Sequence, residues 1–351
     1  ESRSPETIAA VRRHSADGRF SLVVVPDAMP RTKPKALNFT LPFCRGEFVV
    51  VYDAEDRPDP RQLRTMVARF RQEPELQCIQ ARLVIDNGET GVLPGLFAGE
   101  YAGLFAVLLP ALARWGVFMP LGGTSNHFRL EALRRLGGWD AFNVTEDADL
   151  GVRLARRGLK TSTSTTFTLE YAPVQFRPWL GQRSRWLKGW MQTFMVHNRR
   201  PGALLRDLGL PAFLMFELIL ITMLLAPLLH LAFVPLTFWL IFQDLESVTR
   251  PTAWSAACLL MLILGFGVTI LLNMEGLRRT GQAKHMILQL LLPVYWLLIS
   301  FAALVALREF VTRPFHWFKS PHHATVPDFG VSRAVHLAPR KSADASLLGA
   351  L

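Results

Sequence analysis

The sequence predicts an α/β domain that runs directly into an all-α membrane region, and two observations carry that reading. Half of the 351 residues are hydrophobic (50%) and only 19% are charged, where soluble domains carry about 25% charged residues. The long apolar runs are also confined to residues 209–308, whereas residues 1–90 read as an ordinary globular segment. The expected units are residues 1–205, residues 206–312, and a tail over 313–351. The tail, rich in Ala, Ser, Pro and His, is expected to be disordered after about 323.

In the first unit, residues 21–27 (SLVVVPD) and 47–53 (EFVVVYD) are β-branched runs ending in acids. Buried parallel strands finish this way at a site-bearing edge. The chain opens at Glu1 with no signal-peptide pattern, and 21–27 reads as an inner strand with no earlier strand beside it. The first strands are therefore expected upstream of these residues. Asp59-Pro60 starts a helix with Leu63, Met66, Val67 and Phe70 at helical spacing. A strand over 76–85 follows, and the strand–helix–strand order predicts a parallel sheet.

Residues 93–115 are apolar enough to span a membrane, but Glu100 and Pro110 within them favour a helix buried in the domain or lying on the bilayer surface. Thr145 is expected to cap a helix over 145–157 that stops at Gly158. The Thr-rich stretch 161–168 has strand chemistry.

Three apolar segments make up the second unit: 209–242, 254–273 and 286–308. The first is long enough for a span plus a surface helix, with kinks or breaks expected at Pro211, Pro227 and Pro235. Loop 274–285 carries Arg278, Arg279 and Lys284 and reads as cytoplasmic, which places 243–253 outside. Arg313 and Lys319 also read as cytoplasmic, so part of 286–312 is expected to lie along the interface or re-enter it.

The net charge of +11 comes with no nucleic-acid-binding motif and fits Lys and Arg held on the cytoplasmic side of a membrane. Cys44, Cys78 and Cys258 are far apart, which argues against a disulfide framework or a structural zinc site.

Three clusters could carry chemistry. Tyr52-Asp53-Ala54-Glu55-Asp56 ends a strand, where carboxylates can hold a hard divalent cation; the plainer alternative is an acidic turn. Thr145-Glu146-Asp147 opens a helix, where acids are favoured by the dipole alone, yet an Asp there can also act as a general base. Gln182-Arg183-Ser184-Arg185-Trp186 puts Gln182 and Arg185 one helical turn apart with Trp186 adjacent, a cation for a diphosphate beside a flat stacking surface. An interfacial amphipathic helix would account for the same residues.

Their order is more specific than any one of them. Asp-x-Glu after a strand, then Thr-Glu-Asp, then Gln-x-x-Arg-Trp before membrane segments resembles the signature of processive, cellulose synthase-like family 2 glycosyltransferases, over roughly residues 20–320. The resemblance implies a GT-A-type nucleotide-diphospho-sugar transferase domain, incomplete at its N-terminal strands, followed by transmembrane helices. It assigns Lys33 to the nucleotide-contacting loop, and Asp53 to the nucleotide sugar and the metal. Glu55 stands where the family has a second Asp, so Glu55 or Asp56 would complete the Mg²⁺ or Mn²⁺ site.

Asp147 matches the catalytic base, within Thr145-Glu146-Asp147. Gln182 and Arg185 match the diphosphate-binding residues, and Trp186 the acceptor-stacking one. Gly122, Gly123 and Thr124 sit where the family has its acceptor loop. Trp317, Lys319 and His322 look like a substrate-contacting element that follows the membrane helices.

The implied reaction is inverting transfer of a sugar, most readily glucose from UDP-glucose, onto a growing β-glycan with coupled export. The implied setting is a multi-pass protein of a bacterial inner membrane, with the catalytic domain cytoplasmic, lipid around it and accessory export proteins as partners. Two other readings compete: a single transfer onto a lipid-linked acceptor, and a non-catalytic transporter or scaffold.

Overall fold

The computed structural model describes residues 5–15, 20–246 and 252–315. In chain order the elements are helix α1 (Pro5–Ser15), α2 (Lys33–Thr40), strands β1 (Phe48–Val51) and β2 (Arg57–Pro58), α3 (Gln62–Gln72) and β3 (Leu76–Ile85). Then come α4 (Val92–Gly103), α5 (Leu109–Trp115), β4 (Asn126–Arg129), α6 (Leu130–Arg135), α7 (Glu146–Arg156) and β5 (Lys160–Glu170). Five helices complete the described residues: α8 (Phe176–His197), α9 (Pro201–Leu208), α10 (Leu210–Glu246), α11 (Ala253–Arg279) and α12 (Leu292–Thr312).

The five strands form one mixed sheet in the order β1-β4-β3-β5-β2. Only β3 and β5 pair in parallel; β4 lies antiparallel between β1 and β3, and β2 is antiparallel to β5. This corrects the expected all-parallel sheet. Strands β1 and β3 do point the same way, but the short, polar β4 (NHFR) comes between them and carries little strand signal. Residues 21–27 also depart from expectation, since they form no strand and join no ladder among the described residues.

On α3, Met66 and Phe70 are buried against Leu76 and Ile79 of β3, whereas Leu63 is exposed. The apolar stretch 93–115 is buried, as α4 and α5 joined by a single π turn over Leu104–Leu108. Proline lacks the N–H that an α-helix would need at Pro110, and a wider turn just before it absorbs that defect.

Helix α10 is one continuous helix of 37 residues, about 55 Å long, with Pro227 and Pro235 inside it. The expected span plus surface helix is therefore not what forms; Pro211 sits in the first turn, where its missing N–H costs nothing. Counting the buried 92–115 stretch, four helical segments among the described residues are long and apolar enough to cross a membrane. Short 3₁₀ turns at Ala283–His285 and Ile287–Leu291 precede α12.

Glycines let α4 and α11 touch. A Cβ at Gly276 would fall on the backbone of Ala102 and Gly103, and one at Gly99 would fall on the Gln289 amide. A polar bridge runs along this seam. Asn273 Nδ2 donates to Gln289 Oε1 at 3.0 Å, and Gln289 Nε2 donates to Gly95 O at 3.2 Å.

Candidate active site

The site forms where β1 ends and β4 begins. Antiparallel pairing of Val51 with Asn126 brings loop 120–125 to the edge from which Asp53 emerges, and the carboxyl edge of such a sheet is the usual place for a ligand. Ser125 occupies the left-handed region at φ 57. Its N–H donates to Val51 O at 2.7 Å and its carbonyl accepts from Ala81 N at 3.0 Å, so it stitches β1 to β3 at the turn.

Lys33, at the start of α2, crosses to this edge. Its Nζ pairs with Asp53 Oδ1 and donates to Gly123 O at 2.8 Å, tying α2, β1 and the glycine loop together. Burial alone would lower the lysine pKa, but Asp53, Glu146 and Asp147 outweigh it and raise it. Lys33 is therefore a fixed cation facing three carboxylates.

Asp56 folds back on its own loop. Its Oδ2 accepts from Asp53 N at 2.8 Å and from the Thr124 hydroxyl. Desolvation pushes its carboxyl above the usual range despite those bonds. Thr124 thereby braces the loop: it is 2% exposed, and its hydroxyl is committed to Asp56 and Val51 O. Gly122 is likewise taken up by packing, since a Cβ there would come within 2.9 Å of the Phe105 ring. Gly123 faces the cleft, where a Cβ would lie 3.4 Å from Asp147 Oδ2.

Glu146 and Asp147 open α7. Thr145 precedes them but makes no capping bond; its N–H and hydroxyl turn to Asn143 Oδ1 at 2.9 and 3.4 Å. Thr145 also packs so closely on Gly189 of α8 that any Cβ there would collide with it. Thr145 thus holds the expected N-cap position, its carbonyl accepting from Asp149 N at 3.3 Å, while its side chain spaces the two helices instead of bonding the first turn's N–H groups. Glu146 is 4% exposed, and burial together with the Asp147 charge pushes its carboxyl up to about 7. Asp147 is partly open, and burial also raises its pKa, against the opposing pull of Lys33 and Arg185.

Arg185 reaches the same cleft from α8 and donates to Val144 O at 3.1 Å. Desolvation lowers its pKa while Glu146, Asp147 and Asp53 pull it back up. One turn earlier, Gln182 Oε1 is buried with no hydrogen-bond partner, the state of an acceptor that a substrate hydroxyl or amide would satisfy. Trp186 is half-buried against Phe97 and Tyr101, at ring centroids of 6.0 and 6.3 Å.

Sequence reasoning missed Glu170. It ends β5 of the same sheet, and burial, with the Asp56 and Asp53 charges adding to it, drives its carboxyl well above the usual range. The signal was available, because Glu170 closes a β-branched run as Asp53 does.

No group of three His, Cys, Asp or Glu assembles a metal cage among the described residues. A cation clamped on a diphosphate needs only one or two hard carboxylates, the phosphates and water supplying the rest. Asp53, 37% exposed at its side chain, and the exposed Glu55 fit that requirement; Asp56 is spent on the loop. Trp317, Lys319 and His322 lie outside the described residues.

A cation, an open carboxylate, a buried acid partner and a second cation thus converge on a sheet edge beside apolar helices. The sequence matches the model of the glycosyl transferase family group 2 over residues 48–318, and the chain belongs to that family. It is therefore a GT-A-type α/β domain joined to apolar helices.

Among its relatives is glucomannan 4-beta-mannosyltransferase 2 of Arabidopsis thaliana, 28% identical over 144 residues, which cover 41% of this chain and 27% of that protein. Another is the "probable glycosyltransferase YdaM" of Bacillus subtilis (strain 168), 22% identical over 169 residues, which cover 48% and 40%. The matched stretch spans well under half the length of these relatives. Among solved structures, the mannosyltransferase PcManGT from Pyrobaculum calidifontis in complex with GDP-Man and Mn²⁺ is 20% identical, with a TM-score of 0.43 over 83% of this chain and 75% of that one.

Proposed function

We propose that this chain carries the catalytic site of a membrane-bound, inverting glycosyltransferase that moves a hexose from a nucleoside diphosphate donor to the end of a β-linked glycan. One observation carries the reading: Lys33, Asp53, Asp147 and Arg185, drawn from four elements, face one cleft.

Asp147 is the partly open carboxylate of its pair and takes the proton of the acceptor hydroxyl as that oxygen attacks the anomeric carbon. Attack comes from the face opposite the nucleotide, which inverts the centre. Lys33 and Arg185 offset the charge that develops on the departing diphosphate. Mg²⁺ or Mn²⁺, held by Asp53 and Glu55, would neutralise further diphosphate charge. Trp186 offers the acceptor sugar a flat apolar face, a contact that orients the ring and tolerates stepwise advance.

The donor proposed from the sequence is UDP-glucose, while the plant relative's name speaks for mannose in a β-4 linkage. The site residues named here contact diphosphate and acceptor, so either donor fits them. The proposed setting is a bacterial inner membrane, with the catalytic domain cytoplasmic and export partners beyond.

Membranes containing the full-length protein, incubated with radiolabelled UDP- and GDP-sugars and followed by linkage analysis, test the reading. β-Linked polymer is expected from one donor. Label confined to a single residue on lipid would replace polymer synthesis with single transfer. Absence of both transfer and UDP or GDP binding, with or without Mn²⁺, would leave the transporter or scaffold reading.

A further inference from the structure

We propose that Arg183 is a positioning residue that holds the Trp186 ring at the acceptor end of the cleft, and that Glu100 of α4 and Tyr295 of α12 hold Arg183 in turn. The inference rests on the reading above, in which Trp186 stacks on the acceptor sugar.

The Arg183 side chain is 9% exposed, and its fork meets both oxygens of Glu100: Nη1 to Oε1 at 2.5 Å and Nη2 to Oε2 at 2.7 Å. Tyr295 closes the ring of bonds. Its hydroxyl donates to Glu100 Oε2 at 2.9 Å and accepts from Arg183 Nη2 at 3.0 Å. The guanidinium fixed in this way lies 5.2 Å from the Trp186 ring centroid and 5.2 Å from that of Phe97.

A planar cation this close to an indole is attracted to its face. With Phe97 and Tyr101 also against it, the Trp186 ring has little room to turn. A need for stability alone does not account for the arrangement, because a buried ion pair roughly breaks even against apolar packing of the same volume. What the fork adds is a fixed plane, and a stacking platform needs one. Its two anchors lie on different helices, so the tilt of the platform is set jointly by α4 and α12.

The test uses the full-length protein, with cellotetraose and mannotetraose as acceptor probes and UDP and GDP as nucleotide probes. Arg183→Lys keeps the charge but loses the fork and the plane. It is expected to raise the acceptor KM by about tenfold or more, with the donor KM and nucleotide Kd within about twofold of wild type. Glu100→Gln should do the same, and the double variant should be no worse than either single one, since both act through one contact. Tyr295→Phe, a milder change, should raise the acceptor KM by a few-fold.

Equal rises in donor and acceptor KM, or no rise in either, would overturn the inference. So would an Arg183→Lys that fails to fold alongside a Tyr295→Phe with the wild-type acceptor KM. Failure of the underlying reading shows differently, as a wild-type protein that binds neither UDP nor GDP.

Discussion

Asp147 and Glu146 are adjacent in sequence yet differ in access, and that difference divides their roles. Asp147 is partly open and faces Gly123, whereas Glu146 is sealed at 4% exposure. Asp147→Asn should keep nucleotide binding near normal and lower turnover by about a hundredfold or more, the scale for losing a positioned base; near-normal polymer synthesis would remove Asp147 from the mechanism. The pair also makes a pH statement. A base must be ionised to work, and burial raises both carboxyls, with the Asp147 charge adding to the rise of Glu146 to about 7. The acid limb of kcat/KM is therefore expected above the ordinary carboxylate range. Glu146→Gln removes the neighbouring negative charge, so Asp147 should lose its proton more easily and the limb should move to lower pH. A limb that stays put or moves up would break this account. The sequence reached Lys33, Asp53, Asp147 and Arg185 through the order of their motifs. That the Thr124 and Thr145 hydroxyls bond Asp56 and Asn143 was not legible, because which neighbour a hydroxyl meets depends on packing that no local pattern encodes.

Among the elements, β1, β3 and β5 were legible from their β-branched runs, whereas the similar run 21–27 forms no strand and β4 gave no signal. A four-residue strand bounded by a glycine turn has no periodicity to read, and its place in the sheet is set by the partners it finds. The buried character of 93–115 was legible through Glu100, whose partner Arg183 sits 83 positions away. The glycine seam between α4 and α11 was not. Gly276→Ala should push α11 off Ala102 and Gly103, costing about 1–3 kcal/mol or more, visible as a lower melting temperature in detergent; an unchanged melt would mean that the seam is loose. Helix α12 has spanning length, yet it is seated along α8: Tyr295 meets Arg183, Glu309 pairs with Lys188 at 2.9 Å, and Pro314 O accepts from Gln192 at 2.8 Å. Helix α8 carries Gln182, Arg185 and Trp186 of the candidate site and several cations, so α12 is expected at the interface and Arg313 on the cytoplasmic side. Arg313→Cys, with Cys44, Cys78 and Cys258 replaced by Ala, tests this with a membrane-impermeant thiol reagent. Labelling should need permeabilised cells, and labelling of intact cells would put the end of α12 outside.

At the scale of the molecule, sheet and apolar helices share one interior. Phe216 and Leu220 of α10 pack with Phe118, Val152 and Leu204, and Gln282 donates to Ile85 O at 2.6 Å, at the end of β3. Residues 20–208 expressed alone should therefore aggregate or require detergent, because removing α10 to α12 bares that surface; a soluble, monodisperse product would show that the catalytic unit stands by itself. The two-part division was legible from hydropathy, but this mutual dependence was not, since a composition boundary does not reveal which buried faces cross it. The Lys188–Glu309 pair also bears on how the protein is made. Lys188 is fully buried, and the chain reaches its partner 121 residues later. At about 5–20 residues per second, the ribosome leaves that lysine without its glutamate for on the order of ten seconds. Helix α8 also carries Gln182, Arg185 and Trp186, so the contacts that seat it are completed only once Glu309 of α12 has been made.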